Sequence, residues 1–154
     1  MDDMNMMVAQ EQFNISADIN ESMASMFCSV DNSTRDGQMI IYNAINSPTG
    51  RLGDMIGKVI KVKDVIAEPT IIYNEQQEPI ETIRLTLITD DNESYTCVST
   101  GIYNAVKKLI AVFGMPTWTE PLPLEIKQIL RQSKSGQPRN VLTLQLSQEN
   151  SKKK

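Results

Sequence analysis

Between residues 99 and 116 the apolar positions recur at helical spacing. Ile102, Val106, Leu109 and Phe113 lie four, three and four apart and make one stripe, with Asn104, Lys107, Lys108 and Ala111 on the other side. Ser99 or Thr100 can cap the start, because a hydroxyl accepts from the free N–H groups of the first turn. Gly114 suits the position just past the last turn, and Pro116 keeps the helix from resuming. The pattern predicts one helix, packed by one face, with Phe113 and Tyr103 in the core.

Elsewhere the period is two. Met39–Ile45 reads as a short strand, Ser47-Pro-Thr-Gly50 as a turn, and Leu52–Ile56 as a short turn or plug. A long strand follows from Lys58 to about Thr70. Alternation puts Ile60, Val62 and Ile66 on one face and Lys61, Lys63 and Val65 on the other, though Val59 and Asp64 break the pattern. Pro69 should end the pairing or sit at an edge, having no N–H to donate. After the polar loop Asn74–Pro79, the strand Ile80–Thr89 turns Ile83, Leu85 and Leu87 inward and Thr82, Arg84 and Thr86 outward. Asp90–Glu93 is a tight turn, and Tyr95–Ser99 a strand leading into the helix. Leu122–Gln132, with Leu124, Ile126 and Ile129 as apolar positions, and Val141–Leu146, with Leu142, Leu144 and Leu146 on one face, complete the set around a loop at residues 133–138.

Three strands as a meander, one helix, then a two-strand hairpin is the element order of the OB fold, a five-stranded Greek-key barrel with the helix between strands three and four. The expected class is all-β with one helix that plugs the barrel. A β-grasp or other α+β sheet with the helix across it competes on the same pattern.

Charge divides the chain. Residues 1–38 carry seven acidic groups against Arg35 alone, whereas residues 39–154 carry 14 basic and 12 acidic. The first segment is rich in Met, Asn and Ser, has only a weak helical pattern through Ile15, Ile19, Met23 and Met26, and reads as a mobile acidic arm. The expected domain then covers residues 39–147, with a polar basic tail over 148–154. At 154 residues the chain suffices for one domain with a real core. No apolar run is long enough to span a membrane, and the N-terminus lacks the pattern of a secretory signal. Two distant cysteines, Cys28 and Cys97, fit a reducing cytosol better than a disulfide.

Candidate chemistry is narrowed by an absence. There is no histidine, so the commonest general base and zinc ligand are missing, and no metal or cofactor is expected. Carboxylate pairs such as Asp90-Asp91 read as solvated turn residues, and Gly50, Gly53 and Gly57 form no phosphate-binding spacing. A small nuclease built on scattered carboxylates is the weakest reading. Nucleic acid is better served: single-strand binders join a cationic groove to aromatic faces on which bases stack. Lys127, Arg131, Lys134 and Arg139 cluster in the last hairpin with no acid among them, and Lys61, Lys63 and Arg84 project from the presumed outer face of the earlier strands. Tyr73 and Tyr95 are placed to meet a ligand. Trp118 can pack on the helix end or stack on a base.

Several stretches together resemble one family. They are Asn43–Pro48, Leu52–Ile60, Val62–Val65, Tyr95-Thr-Cys-Val-Ser-Thr-Gly-Ile-Tyr-Asn104, Leu109–Gly114 and Pro116-Thr-Trp-Thr-Glu-Pro121. They are similar to single-stranded DNA-binding proteins from bacteriophages of Gram-positive hosts, over roughly residues 39–146. The resemblance implies an OB-fold protein, without catalysis or sequence preference, that coats single-stranded DNA in phage replication and recombination in the host cytoplasm. The expected site is Lys61, Lys63, Arg84, Lys127 and Arg131 on phosphates, with Tyr95 and Tyr73 or Trp118 on bases. Such proteins often end in an acidic tail that recruits replication partners, whereas this chain ends in Lys152–Lys154 and carries its acid at the front. The arm could take over recruitment. A homodimer through edge pairing, and a barrel that binds protein or builds the virion instead of binding DNA, are the remaining alternatives.

Overall fold

The computed structural model describes residues 26–132, 136 and 138–147. The expectations for the arm up to residue 25, for Lys134 and for the tail after residue 147 lie outside the described residues. The elements are β1 (Phe27–Cys28), α1 (Arg35–Asn46), β2 (Gly50–Arg51), a 3-10 turn (Leu52–Met55), β3 (Val59–Tyr73), β4 (Pro79–Thr89), β5 (Ser94–Cys97), α2 (Thr100–Phe113), β6 (Leu122–Gln132) and β7 (Pro138–Leu146). They form one mostly β structure whose sheet runs β2-β5-β4-β3-β6-β7, curled into a half-barrel, with β1 beside β3. Among the described residues there are thus two α-helices and seven strands, where the alternation predicted one helix and five strands.

Helix α2 follows its punctuation. Ser99 Oγ accepts from the Ile102 N–H at 3.2 Å, and the Gly114 N–H donates to the Ile110 carbonyl at 2.8 Å from a positive φ of 85°. Ile102 and Val106 are buried in the main core with Val62, Leu87, Leu124 and Ile126. Gly101 brings the first turn against β7 so closely that a Cβ there would sit 2.1 Å from the Leu142 carbonyl oxygen.

Strand β3 does not keep one phase. Val62 opposes Thr89 and Asp64 opposes Ile88, which leaves Lys63 as an extra residue in a bulge. The bulge resets the faces. Val65 joins Ile60 and Val62 in the main core, and Ile66, expected with them, points to the other side. Pairing runs through Pro69 to Tyr73; beyond Ala67, β4 is the only described partner of β3, so Pro69 does sit at an edge.

The outer face of β3 and β4 is covered around Ile66 and Ile88. The segment expected as a strand at Met39–Ile45 is the second half of α1, capped by the Thr34 hydroxyl, which accepts from the Gly37 N–H at 3.0 Å. Ile40, Ile41 and Ala44 lie at helical spacing and pack on Ile66 and Ile88. The run Met-Ile-Ile-Tyr is apolar enough for either state, and docking on a sheet face that the bulge had turned outward selects the helix. One buried polar group ties this layer down. The Asp64 carboxylate accepts from Ser29 Oγ at 2.7 Å and from Thr117 Oγ1 at 2.5 Å, joining the segment after β1, the bulge and the α2–β6 connection.

Candidate nucleic-acid interface

Strand register decides which cations share a face. Ile60 and Val62 point into the core, so Lys61 between them points out, opposite Pro123 of β6. On β6 the inward residues are Leu122, Leu124 and Ile126, which turns Lys127 and Arg131 to the same outer face. β7 places Thr143 opposite Lys127 and Arg139 opposite Arg131. Lys61, Lys127, Arg131 and Arg139 therefore project from one side of a continuous sheet. Glu125 is the single acid among the outward positions of β6 and β7. Among the described residues the one ion pair is Arg51–Asp54 at 3.6 Å, so none of the four is paired with a carboxylate of the described residues.

The other expected site residues are placed differently. Lys63 is half-buried in the bulge, its carbonyl accepting from the Trp118 N–H at 2.8 Å. Arg84 is exposed on the outer face of β4, opposite Glu68, and the layer of β1 and α1 over Ile66 and Ile88 lies between it and the four. Tyr73 is 65% exposed at the tip of the β3–β4 ribbon, on the face opposite to Arg84. Tyr95 and Trp118 belong to the main core at 8% and 6% exposure. The Tyr95 hydroxyl donates to Glu93 Oε1 at 3.1 Å, and Trp118 Nε1–H donates to the Gly114 carbonyl at 2.9 Å, so the indole packs on the helix end. Both rings are large apolar surfaces beside a core that accepts them while their polar atoms reach a partner at its edge. In this conformation neither ring presents an open face.

A sheet face bearing unpaired cations suits a polyanion, and comparison with known proteins identifies the kind. The family model of phage single-stranded DNA-binding proteins matches residues 20–147. The chain belongs to that family. It is a single-stranded DNA-binding protein. No curated protein and no solved structure matches it. Among the described residues no helix is long and apolar enough to cross a membrane.

Family membership directs attention to residues that the alternation did not single out. Arg139 lies in the basic cluster of the last hairpin, but only the register shows it directly opposite Arg131. Phe113, expected in the core, is 44% exposed. Together with Lys108 it lines a groove of about 610 Å³ between α2 and the β6–β7 hairpin, across from Ile129, Arg131 and Arg139. The helical stripe gave the right face but not its extent, because the last turn of α2 overhangs this groove. Tyr103 keeps its ring under Lys107, whose Nζ lies 4.7 Å from the ring centroid.

The thiols take no part in this surface. Burial pushes the Cys97 thiol up to about 12, and burial is also the main cause that raises Cys28, helped by the nearby Asp64 and Glu68 charges. A raised value means less thiolate, the reactive form, at any given pH. From an ordinary value of 9.0, this leaves Cys97 with about a thousandfold less thiolate at pH 8. Native protein treated with a thiol-specific disulfide reagent at pH 8 should therefore label Cys97 far more slowly than protein in denaturant does.

Proposed function

We propose that the protein coats single-stranded DNA without sequence preference, with the strand running along the outer face of β3, β6 and β7 over Lys61, Lys127, Arg131 and Arg139. The observation that carries this is the four-cation face, unpaired and nearly free of acid among the described residues. Lys63 and Arg84 serve as flanking phosphate contacts, and Tyr73, exposed on the ribbon tip, stacks on a base. Backbone contacts do not read base identity, so binding of this kind tolerates any sequence. The strand order β5-β4-β3-β6-β7 with α2 between β5 and β6 supports reading the half-barrel as an OB fold. Coating of this kind serves phage DNA replication and recombination in the host cytoplasm, and the acidic N-terminal residues offer a surface for replication proteins.

Fluorescence titration with oligo-dT at several salt concentrations tests the reading. Each phosphate neutralised on a single strand contributes about −0.7 to the slope of log K against log[salt]. The six contacts give a slope near −4 (about −0.7 each). Failure to bind at low salt, or binding indifferent to salt, removes the proposal.

A further inference from the structure

We infer that the groove between α2 and the β6–β7 hairpin is a base-stacking site of the DNA surface distinct from Tyr73, with Phe113 as its stacking ring. This rests on the single-strand reading and extends it from phosphates to bases. The described aromatics leave few alternatives. Tyr95 and Trp118 are buried, Tyr103 is faced by Lys107, and Tyr42 on α1 and Tyr73 on the β3–β4 ribbon tip, both 65% exposed, lie outside this groove. Phe113 is 44% exposed and opens into the groove.

The groove has the two chemistries a single strand needs. Its helix wall is apolar at Leu109, Val112 and Phe113, and three cations, Lys108, Arg131 and Arg139, line it with no acid among the lining residues. Arg131 and Arg139 stand at the end of the same outer face that carries Lys61 and Lys127. A strand following that face arrives between the hairpin and the helix, with phosphates on the arginines and Lys108 and a base against Phe113. Its volume of about 610 Å³ holds more than one base. An apolar wall in so cationic a cleft gains little from water, and charge complementarity selects a polyanion with flat apolar faces as its occupant. Helix α2 then has two jobs: its buried stripe fills the core, and its exposed last turn meets the bases.

The test compares Phe113→Ala, Phe113→Trp and Lys108→Ala with the wild type in oligo-dT titrations. Base stacking on an aromatic ring contributes about 1–3 kcal/mol. Phe113→Ala should weaken binding by about fivefold or more with the salt slope unchanged, since no charge is lost. Lys108→Ala should lower the slope by about 0.7. Phe113→Trp should keep affinity and add a tryptophan emission that oligo-dT quenches, over a Trp118 background that is buried. A Phe113→Ala protein that binds like wild type, or a Phe113→Trp protein whose added emission ignores DNA, overturns the groove assignment. A wild type that does not bind oligo-dT overturns the single-strand reading itself, so the two failures are told apart.

Discussion

Replacing Arg131 and Arg139 together with alanine should weaken oligo-dT binding at low salt by roughly thirtyfold, from about 1 kcal/mol per lost phosphate contact. It should also flatten the slope of log K against log[salt] by about 1.4, twice the single-strand increment. The double variant should meanwhile be no less stable than wild type. The two guanidinium groups sit directly opposite each other across β6 and β7 and have no carboxylate partner among the described residues. Like charges placed opposite each other on a sheet repel, by a few tenths of a kcal/mol or more. Removing both should leave the urea midpoint unchanged or slightly higher. Weakened binding with undiminished stability would mark the pair as a ligand contact that the fold tolerates at a small cost. An unchanged salt slope would show that the DNA does not reach this end of the hairpin.

Gly101→Ala should destabilise the protein by about 2 kcal/mol, against the usual sign of that exchange. In a helix, glycine to alanine ordinarily stabilises by up to about 1 kcal/mol, because alanine has less backbone freedom to lose. Here the added Cβ would lie 2.1 Å from the Leu142 carbonyl oxygen and 2.7 Å from a Val141 methyl. The first of these is backbone of β7, which cannot turn aside as a side-chain end can. Helix α2 must back away from β7, and the core contacts of Ile102 loosen with it. Chemical denaturation of the purified variant reads the effect directly, and a variant as stable as wild type would mean that α2 does not pack on β7 in this way. Because the same movement reshapes the groove between α2 and the hairpin, oligo-dT affinity should fall in parallel.

Gly101 also shows what kind of information the chain displays openly. It lies in the stretch Tyr95–Asn104 that carries much of the family resemblance, yet nothing about its spacing announces a close approach to β7. The same division runs through the site. Lys61 could be placed outward by alternation, because it lies between the apolar Ile60 and Val62. The opposition of Arg131 to Arg139 depends on the register of β6 against β7, and that is a property of the pairing. Tyr95 and Trp118 had the residue types of a stacking surface. Whether a ring faces solvent or core depends on what else fills the core, and no local pattern records that.

Local chemistry by itself determined helix α2, because capping and termination act within a few residues: Ser99 at one end, Gly114 and Pro116 at the other. It determined the inward set Ile83, Leu85 and Leu87, because alternation has a period of two wherever the strand is regular. It also determined the absence of histidine, which needs no folding at all. Tertiary structure decided the rest. The bulge at Lys63 reversed the faces of β3, since one extra residue moves every later side chain across the sheet. That reversal exposed Ile66 on the outer face, and Met39–Ile45 became the helix that covers it together with Ile88. It also decided that the last turn of α2 overhangs β7 and leaves Phe113 exposed in a cationic groove. These outcomes depend on contacts between segments far apart in the chain, whose free energy outweighs local preference wherever an apolar run can satisfy more than one geometry.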